Sequence, residues 1–350
     1  MIPGDGGPNG LGYWVQNGAD EIEITPDGTV IAGTGWDEAG RCVGLYKEGR
    51  PNRVLLKQEG KKETAWGWNT GNDALAVDGT NIFVANSGKR LLRFTWAPGN
   101  LDSAKVAEEF GMPGKAVGLA AARGRLAVAY TNRIELRSAI DFAVITNLAV
   151  SGMKDATGKI IRRHVFRGWD AAGKPQFETE KPKSWPWPED FQNIRRVIYD
   201  EKNDSLYLSG YLKDETIDSW GVTGKTLRRY DGWLKGDKTA RWTIQLPMNP
   251  DGEGKGKPLS PESLATAGDY LFVGMCKPDY GKQHVHILAL GDGAYVGSFV
   301  PGSEVGGNAG WPDMPYAVAA LKRKNGEYLV LVEEDWRGKN LLYRWTPEKK

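Results

Sequence analysis

The chain is poor in the residues that most often carry chemistry, with two cysteines and three histidines in 350 residues. Cys42 and Cys276 fall in segments that read below as the first and fifth of six repeats. That is too far apart for the Cα separation of about 4.4 to 6.8 Å that a disulfide requires, so two buried thiols are expected. His284 and His286 share one strand face by the period of two, but no third ligand lies near them in sequence, and His164 stands alone. No Gly-x-Ser-x-Gly elbow, phosphate loop, Cys-x-x-Cys pair or His-Glu-x-x-His helix occurs, so hydrolase, nucleotide and zinc-protease readings lack support.

Other absences bound the class of protein. No run of about 18 apolar residues exists, and a spanning helix is not expected. The start Met-Ile-Pro-Gly-Asp lacks the basic and apolar regions of a signal peptide, which leaves a cytoplasmic protein or one whose leader is missing from this chain. Neither sign of charge dominates: 46 Lys and Arg face 44 Asp and Glu, a formal charge of +2 with the signs intermixed. Nucleic acid and anionic membrane are therefore not expected as the main partner. No Pro/Ser-rich linker divides the chain, although its length exceeds the usual size of one hydrophobic core.

What the sequence does contain is one phrase six times over: an apolar run, a turn of polar or Gly residues, and a second apolar run. The copies are Glu21–Gly33, Ala74–Asn86, Val117–Tyr130, Arg195–Gly210, Ser263–Gly274 and Ala317–Glu333. Their turn residues, Asp27, Asp78, Arg123, Asn203, Gly268 and Asn325, are 45 to 80 residues apart. Propeller blades take roughly 40 to 50 residues plus loops. The expected fold is all-β: one six-bladed β-propeller domain over residues 1–350, built of four-stranded antiparallel blades. Blades are placed near 20–60, 72–111, 116–152, 193–247, 260–302 and 314–350.

The third repeat reads as a complete meander, Val117–Ala122, Arg125–Tyr130, Arg133–Ser138 and Phe142–Val150, whereas the last supplies only Ala317–Lys322, Glu327–Glu333 and Asn340–Trp345. Its missing outer strand is assigned to Leu11–Gln16, which closes the ring with the N-terminus and removes an exposed edge. The 80-residue step between Arg123 and Asn203 carries a surplus, Lys154–Gln192, with a short hairpin at Ile160–Phe166 and Gln176–Thr179. An insertion is the preferred reading and a seventh blade the alternative. Pro186 and Pro188 bar a central strand and place Trp185 and Trp187 in an extended loop.

Residues just before the innermost strands converge on the axis of such a ring and form its default site. They are Asp20 and Glu21, Asn72 and Asp73, Lys115, Asn193 and Arg195, Glu262, and Tyr316. Carboxylates facing a Lys and an Arg suit a sugar, an acidic sugar or a cation, or they merely line a solvated channel. Tryptophan gives the second signal: of 14, ten (Trp36, Trp66, Trp68, Trp169, Trp185, Trp187, Trp220, Trp233, Trp311 and Trp336) lie in or beside predicted loops or strand ends. An indole stacks on the C–H face of a pyranose and offers an N–H, although it also anchors blade packing. Trp66, Trp68, Trp185, Trp187 and Trp311, in segments leading into inner strands, are the expected platform.

The phrase from Asn72-Asp73 through Ala74–Asn86 resembles the NHL-repeat and SMP-30/gluconolactonase-like group of six-bladed propellers. In the lactonases a divalent cation sits at the channel mouth. The resemblance implies that Glu21, with Asn72 and Asp73, would hold Ca²⁺ or another divalent cation. Glu21 is not followed by Gly-Pro as in that family, and the later Asn ligand and catalytic Asp have no counterpart phrase. Trp36–Arg41 and Arg229–Trp233 are similar to segments of bacterial propellers of unassigned role, often parts of secreted, carbohydrate-related proteins.

The first expectation is thus a monomeric carbohydrate-binding module of a secreted protein, extracellular or periplasmic, with a cytoplasmic location the alternative. The second is an enzyme. It would be a lactonase using Glu21, Asn72 and Asp73 around a cation, or a polysaccharide lyase in which Lys115 or Arg195 neutralises a uronate and Tyr316 or a His removes a proton. The third is a protein-interaction scaffold.

Overall fold

The computed structural model describes residues 21–33, 42–47, 50–57, 74–86, 89–130, 133–149, 162–180, 191–212, 226–232, 239–246, 260–276, 285–299, 315–334 and 339–348. Among them are 25 strands and no helix. Four sheets are four-stranded meanders: β1 to β4 (Glu21–Ile24, Val30–Gly33, Cys42–Lys47, Arg50–Lys57), β5 to β8 (Ala74–Asp78, Asn81–Asn86, Arg90–Ala97, Asn100–Gly111), β9 to β12 (Gly118–Ala122, Arg125–Ala129, Arg133–Ser138, Val144–Ala149) and β19 to β22 (Ser260–Ala267, Tyr270–Cys276, Val285–Ala289, Tyr295–Phe299). A three-stranded sheet holds β23 to β25 (Pro315–Lys322, Tyr328–Glu334, Lys339–Trp345). These sheets, with the six-stranded one described next, are the six blades expected from the repeats.

The fourth blade keeps the expected four-stranded meander, and the expected insertion adds two strands to its edge. Its own meander is β15 to β18 (Phe191–Asp200, Ser205–Leu212, Thr226–Asp231, Thr239–Gln245), and β13 and β14 (Arg162–Trp169, Pro175–Glu180) extend it to six strands in the order β14-β13-β18-β17-β16-β15. The hairpin expected in the surplus segment is therefore real and longer than read. It does not begin a seventh blade: β13 runs parallel to β18, from Arg162↔Trp242 to His164↔Ile244. The strand assigned to Leu11–Gln16 lies outside the described residues.

All six repeated hairpins form. Glu21 pairs Gly33 and Ser263 pairs Gly274, the residues that bound the first and fifth phrases. Three of these hairpins have two-residue turns, and in the third Arg123 (φ 49°) and Gly124 (φ 71°) both have positive φ, as a type I′ turn matched to strand twist requires. Where the turn is longer a side chain closes it. Asp27 accepts hydrogen bonds from the Thr25 and Thr29 hydroxyls at 2.5 and 3.0 Å and pairs with Lys47 Nζ at 3.3 Å.

The chain divides into two compact units, Met1–Tyr130 with Arg137–Ala143 and Tyr316–Lys350, and Thr131–Leu136 with Val144–Pro315. In the first unit the unbroken apolar run of β6 is explained by burial on both faces. Ile82 and Val84 join Ile31, Val43 and Leu45 of the first blade, while Phe83 and Ala85 join Leu126, Val128 and Phe142 of the third. Ile22 and Ala32 pack in turn against Ala317, Ala319 and Leu331 of the sixth blade. In the second unit Trp242, Ile244 and Leu246 of the fourth blade pack on Leu264, Val273, Leu288 and Leu290 of the fifth.

Candidate functional site

β1, β5, β9, β15, β19 and β23 each end their blade, and of the expected site residues Glu21, Glu262 and Tyr316 lie within the first three residues of such a strand, whereas Arg195 is in the middle of β15. In the first unit Glu21 opens β1, and its Oε2 accepts a hydrogen bond from the Leu75 amide near the start of β5. One carboxylate oxygen of the expected cation ligand is thus engaged in tying two blades together. Glu23 lies on the same face, where crowding by protein pushes its carboxyl up to about 7 although its outer atoms reach solvent. Lys115 is exposed in the segment leading to β9, and Tyr316 is the second residue of β23. Asn72, Asp73, Trp66, Trp68, Trp185, Trp187 and Trp311 lie outside the described residues.

In the second unit Arg195 and Glu262 prove to be the extra residues of β-bulges. The β15–β16 register skips between Ile194 and Arg196, and the β19–β20 register between Pro261 and Ser263. The two bulges are neighbours: Ser209, the partner of Arg196, donates its hydroxyl to the Pro261 carbonyl at 3.4 Å. A bulge interrupts the alternation of a strand and is favoured beside binding sites, since it re-aims one residue while leaving the ladder intact on either side. The sequence placed both residues at strand starts but held no sign of the bulges.

The described tryptophans mostly pack. Trp96 and Trp242 are buried, donating their indole N–H groups to Gly79 O at 3.1 Å and Leu290 O at 3.0 Å, and Trp345 lies 5.3 Å from the Tyr328 ring. Trp169, on the inserted hairpin, differs. A bulge between Phe166 and Gly168, with Gly168 at φ 132°, turns Trp169 onto the face of Phe166 and Phe177. The rings run Trp169, Phe166, Phe177, Tyr295 at centroid spacings of 5.7, 6.1 and 5.6 Å, all four half-buried. Sequence reasoning missed this series, although three of its members stand in the one segment that breaks the repeat.

The hairpin is also locked into the fifth blade. Tyr207, Arg229 and Trp242 lie directly opposite one another across β16, β17 and β18. Arg229 holds Asp231 at 2.6 Å and, with Trp242, donates to Leu290 O at the head of the turn between β21 and β22. His164 Nε2 donates to Asp292 O in the same turn at 2.9 Å. Of the other histidines, His284 lies outside the described residues, and His286 is buried with neither ring nitrogen hydrogen-bonded. No group of three or more His, Cys, Asp or Glu is arranged to hold a metal ion among the described residues. No helix among them is long and apolar enough to cross a membrane.

No protein-family model matches the chain, and no curated protein matches it. Solved structures do. A chain from a mitotic checkpoint complex is similar over 100% of this chain and 88% of its own, with a TM-score of 0.47 and 9% identity. The β-propeller domain of Cps50 (Swd1) from Myceliophteria thermophila is similar over 96% of this chain and 99% of its own, with a TM-score of 0.51 and 11% identity. At that identity the likeness concerns the fold alone, and it agrees with the blade sheets: the chain is a six-bladed β-propeller.

Proposed function

We propose that the chain is a protein-interaction scaffold that engages its partner through the outer strands of its blades. One observation carries this reading. Every exposed large hydrophobic residue among those described lies on an outermost described strand or the turn entering one: Val106 and Phe110 on β8, Ile140 before β12, Val144 and Ile145 on β12, Val296 on β22 and Leu342 on β25. Phe110 and Ile140, 37% and 68% exposed, flank the buried Phe142, whose ring centre is 4.9 Å from that of Phe110. Apolar groups held in water on these outer strands are costly unless a partner covers them.

The test is site-specific photocrosslinking at Ile140 and Phe110, with Lys324 in the exposed turn before β24 as the control position. One discrete partner captured from the rim and lost in the Phe110→Asp/Ile140→Asp variant is expected. Equal capture at Lys324, or binding unchanged in the double variant, overturns the reading.

A second reading has its own support. The paired bulges at Arg195 and Glu262 favour a polar ligand beside β15 and β19, and carbohydrate is the class that also suits the half-buried aromatic series on the hairpin. A glycan array with Arg195→Ala and Trp169→Ala variants tests it, and retention of any glycan by both variants rejects those residues as the site. The lactonase and lyase readings rest on Glu21, Asn72, Asp73, Lys115, Arg195 and Tyr316. They predict, respectively, a tightly held divalent cation and unsaturated products absorbing in the ultraviolet.

A further inference from the structure

His286, on β21, has no solvent exposure, and both its ring nitrogens lack a hydrogen-bond partner. Its roof has two layers. Tyr295 stands edge-on over the imidazole, centroids 5.4 Å apart and planes at 67°, with its hydroxyl hydrogen-bonded to Ser298 at 2.7 Å. Phe177 of the inserted hairpin then covers Tyr295 at 5.6 Å. A neutral imidazole tolerates such a place poorly and an imidazolium not at all, because both N–H groups would need acceptors that only water could supply.

Among the described residues, the charged groups at this junction already have partners, and Tyr207 adds only a buried neutral hydroxyl. From β13, His164 is held at Asp292 O; from β17, Arg229 is held by Asp231 and Leu290 O; in the β21–β22 turn, the Asp292 carboxylate accepts from the Ala294 amide. Asp170, at the tip of the hairpin, accepts from the amides of Ala172 and Lys174 and from Gln176 Nε2, and its charge acts on Tyr295. None contributes a counter-charge to His286, and burial alone holds its imidazole down at about 3, from an ordinary 6.5.

The hairpin is the part of the roof that lies outside the four-stranded meanders. Among the described residues its register with the blade spans Arg162, Arg163 and His164, and opening it breaks no pairing within β15 to β18. We propose that β13 and β14 form an acid-released strap: at neutral pH Phe177 seals Tyr295 over a dry, neutral His286, and protonation of His286 detaches the hairpin while the blades beneath stay folded. The sign follows from linkage. A group whose imidazole titrates at 6.5 when wet and far lower when sealed stabilises the closed form fully above 6.5, and below it the ratio of closed to open form falls tenfold per pH unit.

Hydrogen–deuterium exchange of the intact protein, corrected for intrinsic exchange rates and followed from pH 7.5 to 4.5, tests this. Opening of Arg162–Glu180 is expected to rise by about 100-fold over that range, with β15 to β17 unchanged. In His286→Phe the rise should vanish, and in Phe177→Ala the hairpin should exchange quickly at pH 7.5 already. A wild-type rise below about threefold overturns the proposal whatever the variants do, as does a rise that persists in His286→Phe.

Discussion

Gly293 offers the sharpest test of how the fourth and fifth blades are joined. It sits in the β21–β22 turn at φ 73°, and a Cβ there would lie 2.9 Å from Ile244 Cδ1 and 3.0 Å from Trp242 Cδ2. Both neighbours are essentially buried and set within the core cluster of that unit, so neither can move aside cheaply. Gly326, in the β23–β24 turn, has a similar φ of 86° but nothing within 4 Å. Replacing either with Ala incurs the cost of a left-handed backbone, about 1 to 2 kcal/mol. Only Gly293→Ala adds overpacking, about 1 to 3 kcal/mol. Backing the turn away would instead stretch its hydrogen bonds to Arg229, Trp242 and His164, each worth about 1 kcal/mol. Urea denaturation of the two variants should therefore show Gly293→Ala the less stable by at least about 1 kcal/mol. Equal midpoints and slopes would refute the close approach as the reason for glycine at 293.

Two further outcomes concern the first blade and depend on pH. Partial burial pushes the Asp27 carboxyl up, but hydrogen bonds from Thr25, Thr29 and Lys47 outweigh it and hold it at about 2, below the ordinary 3.8. Its contribution is full above 3.8 and lost as pH falls toward 2, so Asp27→Asn should cost about 1 kcal/mol at pH 7, discounted for solvent at the Lys47 pair, and almost nothing at pH 2. Glu23 behaves oppositely. Its carboxyl is raised from 4.5 to about 7, so its contribution is full below 4.5 and lost as pH rises through 7. Glu23→Gln should melt higher than wild type at pH 8 and with it at pH 4.5, the gain staying near 1 kcal/mol because the side chain reaches solvent. Calorimetric scans across pH 4 to 8 for Glu23 and pH 2 to 7 for Asp27 check both.

The hairpins were legible because burial on two faces leaves a period-free apolar run between turn residues, and Asn81–Asn86 is such a run. The inserted strands were half legible. Gln176–Thr179 lies within β14, but the partnership of β13 with β18 joins residues far apart in sequence, and no local pattern encodes it. At the site, position along the chain was readable in part: Glu21, Glu262 and Tyr316 do fall early in inner strands, whereas β15 begins at Phe191 and leaves Arg195 at its middle. Local geometry was not: the bulges at Arg195 and Glu262 arise from how two strands count residues against each other, which neither strand specifies alone.

The parallel docking of β13 on β18 carries a consequence for biosynthesis. A ribosome delivers the β13–β14 hairpin first, then the innermost strand of the fourth blade, and only last the strand on which the hairpin rests. Through that interval Phe177 has no Tyr295 to meet, and one edge of β13 has no neighbour. The blade is thus assembled from its periphery, to its centre, and outward again, and its last act is to recover a piece made at the start. Slowing translation between Asp231 and Thr239, before β18 is made, should lengthen the life of this waiting state.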